Sequence, residues 1–201
     1  MANGSSGRMG FAIAYAAIAA GHEVRMILGP TELEPPAQLE SLDRVVSARD
    51  MHTAALAAFD GADIAFGVAA VADFRPARYR AGKPAKHEVD TTIELVPNPD
   101  VIASLGEVKA DRTVVGFALE ADGERGDALR KARQKLDRKH LDACVLNAPA
   151  AMGARSNAVT LVWGDDRPDE ALPRMSKDRL GIELVERVVA WHEGRRTRKQ
   201  P

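Results

Sequence analysis

Short apolar segments alternate along the chain with segments whose apolar residues recur every three or four positions. The first kind predicts β-strands and the second predicts α-helices. The predicted strands are Glu23–Leu28, Arg44–Ser47, Ile64–Val68, Thr91–Val96, Thr113–Ala118, Asp142–Leu146 and Ala158–Trp163. The predicted helices are Phe11–Ala20, Thr53–Phe59, Pro99–Leu105, Arg125–Lys139 and Lys177–His192. Short strands that alternate with helices predict an α/β fold, in which a mostly parallel sheet is covered by helices on both faces.

The length of the chain sets the expected number of domains. A chain of 201 residues, 45% of them hydrophobic, is long enough for one globular domain with its own core and too short for two. We expect this domain to span residues 1–192. Residues 193–201 (EGRRTRKQP) carry four basic residues and no apolar ones, which predicts a basic, disordered tail.

Charge and cysteine content exclude several classes of function. The chain carries 28 basic and 29 acidic residues, so it has no overall positive field to attract nucleic acid or an anionic membrane. No apolar run approaches the roughly 20 residues that span a bilayer, and the N-terminus lacks the apolar stretch of a signal peptide. The single cysteine, Cys144, excludes an intrachain disulfide and a cysteine-cluster zinc site. Together these features predict a cytoplasmic protein.

A glycine-rich segment lies directly before the first predicted helix. Glycines let the backbone approach a ligand closely, and the amides at the start of a helix attract phosphate. The candidate phosphate-binding residues are Gly4, Ser5, Ser6, Gly7 and Gly10. The spacing alone fits a phosphate site and an ordinary turn equally well. A dinucleotide site would also need a carboxylate after the next strand, and the absence of one in residues 27–30 (ILGP) disfavours a nicotinamide cofactor.

The strand that should precede this glycine loop is not evident. A phosphate loop normally connects a strand to a helix, yet the chain begins at Met1, immediately before the loop. We therefore expect the N-terminal strand of the sheet and its turn, roughly 10 residues, to be missing. Either the sheet has lost this element or the true start lies upstream.

Polar side chains follow the strand Ile64–Val68. Small residues lead from Gly67 through Val68 and Ala69 to Asp73, at the end of a parallel strand where such sheets bind ligands. Taken alone, Asp73 also fits the cap of a helix or turn. Lys83 and Lys86 follow in a loop, where a lysine can neutralise phosphoryl oxygens or be simply solvated.

A charged helix supplies further lysines. Lys131, Lys135 and Lys139 recur every four residues on one face of the predicted helix Arg125–Lys139. This face can be a solvated surface or the cationic wall of a triphosphate site. The histidines show no metal-ligand spacing, and no nucleophile elbow occurs.

Six motifs occur in the order in which phosphopantothenoylcysteine synthetases carry them. They are residues 3–10 (NGSSGRMG), 69–76 (AAVADFRP), Lys83 with Lys86, 95–100 (LVPNPD), 115–118 (VGFA) and 143–147 (ACVLN). The chain therefore resembles this family from Asn3 to about Trp163. The resemblance implies a Rossmann-like three-layer α/β fold, and it favours the functional interpretation of Asp73 and of the lysines.

The resemblance also implies a reaction. Members of the family join 4′-phosphopantothenate to L-cysteine in coenzyme A biosynthesis. A nucleoside triphosphate activates the carboxylate as an acyl-nucleotidylate and releases pyrophosphate, and the cysteine amine then displaces the nucleotide. Residues 71–76 (VADFRP) resemble the bacterial branch, which implies CTP with Mg²⁺ rather than ATP.

The same resemblance implies partners and site residues. It implies a homodimer, with the Thr91–Val96 strand and the lysine loop at the interface, and a separate phosphopantothenoylcysteine decarboxylase as a possible partner. It implies catalytic roles for Asn3 and Lys83. The implied nucleotide-binding residues are Gly67, Val68, Ala69, Asp73, Pro99, Asp100, Val101, Ile102, Phe117, Lys135 and Lys139. The metal ligands stay unknown.

Three departures from the family pattern leave two other functions open. The first strand is missing, Ala85 stands where another lysine is common, and the stretch Met152–Ser156 is short. One alternative is a truncated nucleotide-binding homologue without catalytic activity. The other is a short-chain-type NAD(P) oxidoreductase, which is disfavoured because neither Tyr15 nor Tyr79 has a lysine four residues later.

Overall fold

The computed structural model describes residues 7–78, 82, 92–119, 125–147 and 156–199. Five helices lie in these ranges: α1 (Arg8–Ala19), α2 (Ala48–Phe59), α3 (Val101–Glu107), α4 (Arg125–Arg138) and α5 (Lys177–Lys199). The strands of the same ranges are β1 (Arg25–Leu28), β2 (Ser41–Arg44), β3 (Ile64–Gly67), β4 (Phe74–Pro76), β5 (Leu95–Pro97), β6 (Thr113–Leu119), β7 (Ala143–Asn147), β8 (Ser156–Trp163) and β9 (Glu170–Ser176). No helix of the described ranges is both long and apolar enough to cross a bilayer.

The central sheet has the strand order β3-β6-β7-β8-β9. Strands β3, β6 and β7 pair in parallel, whereas β8 is antiparallel to both β7 and β9. Four of the five strands therefore run in the same direction, and only β8 opposes them. This confirms the predicted mostly parallel sheet, and it places the ends of β3, β6, β7 and β9 at a common carboxyl edge.

Helices cover this sheet on both faces. Val115, Val145 and Leu161 point to one face, where they pack with residues of α1 and α5. Val114 and Cys144 point to the other face, where they pack with residues of α2, α3 and α4. Neighbouring strand residues alternate between the two faces, as the pleat of a strand requires. The result is the three-layer fold that the sequence predicts.

Strands β1 and β2 form a separate parallel pair, and within the described ranges β3 is an edge strand of the central sheet. Residues 1–6 lie outside these ranges, so the missing N-terminal strand stays a prediction.

The second strand and second helix begin earlier than the apolar pattern predicts. Strand β2 spans Ser41–Arg44 instead of Arg44–Ser47, and α2 starts at Ala48 instead of Thr53. Ser47 caps α2 because its hydroxyl accepts a hydrogen bond from the Asp50 amide while Asp50 accepts one from the Ser47 amide. This capping box makes Ser47 the N-cap of α2. The prediction of a strand ending at Ser47 was therefore wrong.

Two strands were not predicted. Strand β4 pairs antiparallel with β5, and β9 adds an edge to the central sheet. Each of them contains a proline, which weakens the strand signal in a sequence. The predicted strand Thr91–Val96 is replaced by β5 at Leu95–Pro97, and Thr91 lies outside the described residues.

The last helix is longer than the sequence predicts. Helix α5 continues to Lys199, so residues 193–199 are helical and the prediction of a disordered tail is wrong for them. Arg195 in this extension donates a 2.9 Å hydrogen bond to the buried carboxylate of Asp142. Lys109 and the Val114 amide also donate to Asp142, each at 2.8 Å. A basic tail residue is therefore tied to the core by a buried ion pair that composition does not reveal.

A pair of stacked tryptophans lies at the amino-terminal edge of the sheet. The rings of Trp163 and Trp191 stack with their centroids 5.7 Å apart. Their indole N–H groups donate to Glu170 and Asp165 at 2.9 and 3.0 Å. The guanidinium of Arg195 lies 4.8 Å from the Trp191 ring centroid, a cation–π distance. The pair thus joins the end of β8 to α5 on the far side of the sheet from the carboxyl edge.

Candidate functional site

The start of α1 meets the end of β3 at the carboxyl edge. Gly7 has φ +71°, a left-handed conformation that favours glycine, and its carbonyl accepts the Phe11 amide at 3.2 Å as α1 begins. A side chain at Gly10 would lie 3.9 Å from the Val68 Cβ. The start of α1 therefore lies directly beside the segment that leaves β3, as the sequence predicts.

Close packing brings the start of α3 onto the same edge. A Cβ at Gly67 would lie 2.4 Å from Cδ1 of Ile102, and one at Gly116 would lie 4.0 Å from Cγ1 of Ile102. Gly67 and Gly116 are paired in register across β3 and β6. The absence of side chains at both glycines leaves room for Ile102, so the segment that begins α3 packs over the ends of the two strands.

Asn98 joins the segment after β3 to the segment before α3. Its side-chain amide donates to the Ala72 carbonyl, and its backbone N–H donates to the Asp73 carbonyl, both at 2.8 Å. Its Oδ1 accepts from Arg75 at 3.3 Å, and Arg75 also donates to the Pro97 carbonyl. These hydrogen bonds fix the backbone around Asp73. The Asp73 side chain is exposed, and no helix starts after it, so Asp73 is not a helix cap.

The side chains of Lys135 in α4 and of Lys139, the residue after α4, reach toward this edge. Lys139 forms a 2.6 Å ion pair with Asp100, whose other oxygen accepts the Ala103 amide at 3.2 Å and caps α3. Lys135 donates to the Phe117 carbonyl of β6. Burial, together with the positive charge of Lys139, lowers the pKa of Lys135 below its usual range. Lys131, one turn earlier, is exposed, so the structure brings only two of the three lysines to the site.

Cys144 lies beneath these lysines in the middle of β7. It is fully buried, and burial raises the pKa of its thiol to about 11. The thiol is therefore protonated at neutral pH and packs as a small apolar side chain.

Most of the predicted site residues converge at the carboxyl edge. Contacts within the described ranges connect Gly10 with Val68, Gly67 with Ile102, the Asp73 backbone with Asn98, and Asp100 with Lys139. The residues brought to this edge are Gly7, Gly10, Gly67, Val68, Ala69, Asp73, Pro99, Asp100, Val101, Ile102, Phe117, Lys135 and Lys139. Asn3, Gly4, Ser5, Ser6 and Lys83 lie outside the described residues.

Two cavities of about 360 Å³ are lined by described residues, and both lie away from Asp73 and Lys135. One is at the amino-terminal edge, beside Asp142 and Trp191. The other lies between α1 and α5.

Asn98 and Arg75 belong to two of the sequence motifs, but the sequence did not assign a role to either residue. The available signal was the pair of prolines around Asn98, because a proline on each side restricts the backbone and leaves the amide as the polar group of a rigid turn.

The chain is similar to proteins of a known family. The model of the DNA/pantothenate metabolism flavoprotein C-terminal domain family matches residues 1–191 of the chain. The chain belongs to this family. The bifunctional coenzyme A biosynthesis protein CoaBC of Bacillus subtilis is 38% identical over 192 residues, which are 94% of this chain and 46% of that protein. The CoaBC protein of Escherichia coli is 35% identical over an alignment 206 positions long, which covers 98% of this chain and 49% of the relative.

Solved structures of the family share the fold. The crystal structure of the C-terminal domain of a CoaBC protein superposes with a TM-score of 0.78 at 31% identity, covering 94% of this chain and 85% of that one. A mutant of Cab2 in complex with phosphopantothenate-cysteine superposes equally well at 18% identity, which shows the fold alone. The chain spans about half the length of the CoaBC relatives, and it corresponds to their C-terminal domain.

Proposed function

We propose that this family member is a phosphopantothenate–cysteine ligase, which forms 4′-phosphopantothenoyl-cysteine through an acyl-cytidylate and uses CTP as co-substrate. The observation that carries the proposal is the meeting of the start of α1 at Gly7, the exposed carboxylate of Asp73 and two lysine side chains at the carboxyl edge of one sheet. Its support is the membership of the chain in a family whose relatives are named for coenzyme A biosynthesis.

The proposed chemistry needs positive charge more than it needs a base. The substrate carboxylate is already an anion and attacks the α-phosphate of CTP, so negative charge accumulates where the new O–P bond forms and pyrophosphate leaves. Lys135 and Lys139 offset this charge, and the backbone amides at the start of α1, from Gly7 onward, bind phosphoryl oxygens. In this proposal Asn3 and Lys83 act on the acyl intermediate, whose carbonyl is then attacked by the cysteine amine.

Mg²⁺ suits the residues of this edge as a companion of the nucleotide. No group of three or more histidine, cysteine or carboxylate side chains lies together within the described ranges. Mg²⁺ commonly binds through one or two carboxylates and the phosphates of its substrate. Asp73 is exposed at the edge and can supply such a carboxylate, whereas Asp100 is engaged by Lys139. Bound there, Mg²⁺ would neutralise charge on the polyphosphate.

We extend the proposal to a homodimer and to cooperation with a separate phosphopantothenoylcysteine decarboxylase. The ribbon of β4 and β5 supports the first part, because it exposes large apolar side chains. Phe74 of β4 and Leu95 of β5 are 54% and 44% exposed, and Ile93, two residues before β5, is 68% exposed. Apolar side chains grouped on one ribbon are typical of a protein interface.

The decisive experiment is a pyrophosphate-release assay with purified protein, 4′-phosphopantothenate and Mg²⁺, run with CTP or with ATP before cysteine is added. We expect CTP-dependent pyrophosphate release, followed by formation of 4′-phosphopantothenoyl-cysteine. Binding of CTP without release would indicate the non-catalytic homologue. Release with ATP alone would overturn the choice of CTP.

Asn98→Asp should weaken CTP binding. Aspartate can still accept from Arg75 but cannot donate to the Ala72 carbonyl, so the backbone before Asp73 loses its side-chain tether. One hydrogen bond contributes about 1 kcal/mol, which corresponds to roughly a fivefold rise in the CTP dissociation constant. Isothermal titration calorimetry measures this rise.

The matched control for Asn98→Asp is Ser104→Ala. Ser104 shares a 3.0 Å hydrogen bond with His52 and lies further along α3. This variant should lose similar thermal stability and keep the wild-type dissociation constant for CTP. Equal CTP affinities in the two variants would contradict the positioning role of Asn98.

A further inference from the structure

A second positively charged feature lies between α1 and α5. Arg8 and Lys177, the first residues of these helices, line a cavity of about 360 Å³. Phe11 and Tyr15 of α1, together with Leu33, supply an apolar wall. The sequence motifs and the proposed nucleotide site assign no role to either cation.

The cavity lies at the same edge of the sheet as the proposed nucleotide site. Strand β9 runs in the direction of β7, so its end at Ser176 and the start of α5 at Lys177 lie at the carboxyl edge. Arg8 directly follows Gly7 of the glycine loop. A ligand in this cavity therefore lies next to the loop, on the side of α1 that faces α5.

The two helices hold the backbones of Arg8, which is exposed, and Lys177 in a fixed relation. A Cβ at Gly181 of α5 would lie 2.5 Å from the carbonyl oxygen of Ala12 in α1, so the helix backbones approach each other closely. This contact lies within about one turn of Arg8 and Lys177. The starts of α1 and α5 are thereby placed side by side before any ligand binds, which reduces the entropy lost on binding.

The charges in this cavity are incompletely balanced. Lys177 is half-buried, and its burial and the positive charge of Arg8 lower its pKa. Within the described ranges neither Arg8 nor Lys177 forms an ion pair, and the one carboxylate of the cavity lining is the exposed Asp178. Two cations that repel each other across a shared cavity would be stabilised by a bound dianion.

We propose that Arg8 and Lys177 form a phosphate subsite, which binds the phosphomonoester of 4′-phosphopantothenate or a phosphate of the nucleotide. The inference rests on the proposed function for the identity of these two ligands. Arginine and lysine are suited to this group because phosphate accepts several charge-assisted hydrogen bonds. The apolar wall beside them suits the aliphatic part of the pantothenate chain, which favours the phosphomonoester.

The test is the double variant Arg8→Gln/Lys177→Gln, titrated calorimetrically with 4′-phosphopantothenate, with pantothenate and with CTP. Hydrogen bonds to charged groups are strong enough that losing both side chains should weaken binding of the phosphorylated ligand about 100-fold. A loss confined to 4′-phosphopantothenate assigns the subsite to the phosphomonoester, and a loss confined to CTP assigns it to the nucleotide. Pantothenate, which lacks the phosphate, should bind the double variant as it binds the wild type.

The control double variant is Arg196→Gln/Arg198→Gln, which removes the same charge from exposed positions near the other end of α5. It should bind all three ligands like the wild type, and circular dichroism and melting temperature show that each variant is folded. Unchanged affinity of the Arg8→Gln/Lys177→Gln variant for both phosphorylated ligands would overturn the subsite.

Binding of inorganic phosphate tests the subsite independently of the proposed function. A wild-type protein that binds neither CTP nor 4′-phosphopantothenate contradicts the proposed function. In that case ³¹P NMR tests the subsite with inorganic phosphate. Phosphate binding that occurs in the wild type and is lost in the Arg8→Gln/Lys177→Gln variant supports the subsite, and any other result overturns it.

Discussion

Replacing Lys135 with methionine should weaken CTP binding and lower the rate of pyrophosphate release, together by about 100-fold, because a charge that opposes developing phosphoryl charge is removed from a partly buried site. Methionine preserves the length and apolar stem of the side chain, so packing against α4 and β6 is retained. We expect the melting temperature to change little, since burial already disfavours the charged form of Lys135. Steady-state kinetics with CTP, together with calorimetric titration, measure both quantities.

The control for Lys135 is Lys131→Met, one turn earlier on the same helix and exposed. It removes the same charge from α4 and should change kcat/KM less than twofold, as is usual for exposed charges. A second signature is pH. Lys135 must be protonated to attract phosphate, so CTP affinity of the wild type should fall as alkaline pH passes its lowered pKa. Lys135→Met should lack that part of the profile, and equal profiles would contradict its role.

Gly106→Ala should destabilise the protein and disturb the nucleotide site together. A Cβ at Gly106 would lie 2.0 Å from the backbone carbonyl oxygen of Lys139, and rotation of a side chain cannot relieve this overlap. The end of α4 must therefore move away from α3, and Lys139 moves with it. Overpacking of this kind costs about 3 kcal/mol. Chemical denaturation should show that loss, and titration should show weaker binding of CTP by the folded variant.

Gly194→Ala is the matched control for Gly106. Gly194 lies in α5, and nothing stands within 4 Å of the position its Cβ would take. Alanine is the better helix former there, so this variant should gain about 0.5–1 kcal/mol. If the two glycine substitutions change the free energy of unfolding by similar amounts, the close contact of α3 with α4 is not what constrains Gly106.

The buried strands were predicted well because their sequences carry the signal that burial requires. Strands β6 and β7 are covered on both faces, so continuous runs such as residues 113–118 (TVVGFA) read as strands without context. Strand β2 is exposed, and its position depends on the capping box of Ser47 and Asp50 rather than on apolar residues. The extension of α5 depends on Arg195 reaching Asp142, a contact between residues 53 positions apart.

The candidate site, too, was predicted only in part from the sequence. The glycine loop, Asp73 and the lysines were visible because they carry chemistry at recognisable spacings. The tether at Asn98 arises from tertiary contacts. A helical face alone cannot show which of its lysines points at a sheet edge, and it was the family resemblance that implied Lys135 and Lys139 without Lys131. The meeting of Lys177 with Arg8 depends on β9, a strand that the sequence did not predict.

The stacked indoles determine how ligand titrations of this protein can be followed. Both tryptophans of the chain are buried at the edge of the sheet opposite the proposed site, where they interact with each other and with neighbouring arginines. Their fluorescence should change strongly on global unfolding and remain nearly constant when CTP binds. Intrinsic emission is therefore a suitable probe of stability, and nucleotide affinity is better read from heat or from a labelled ligand.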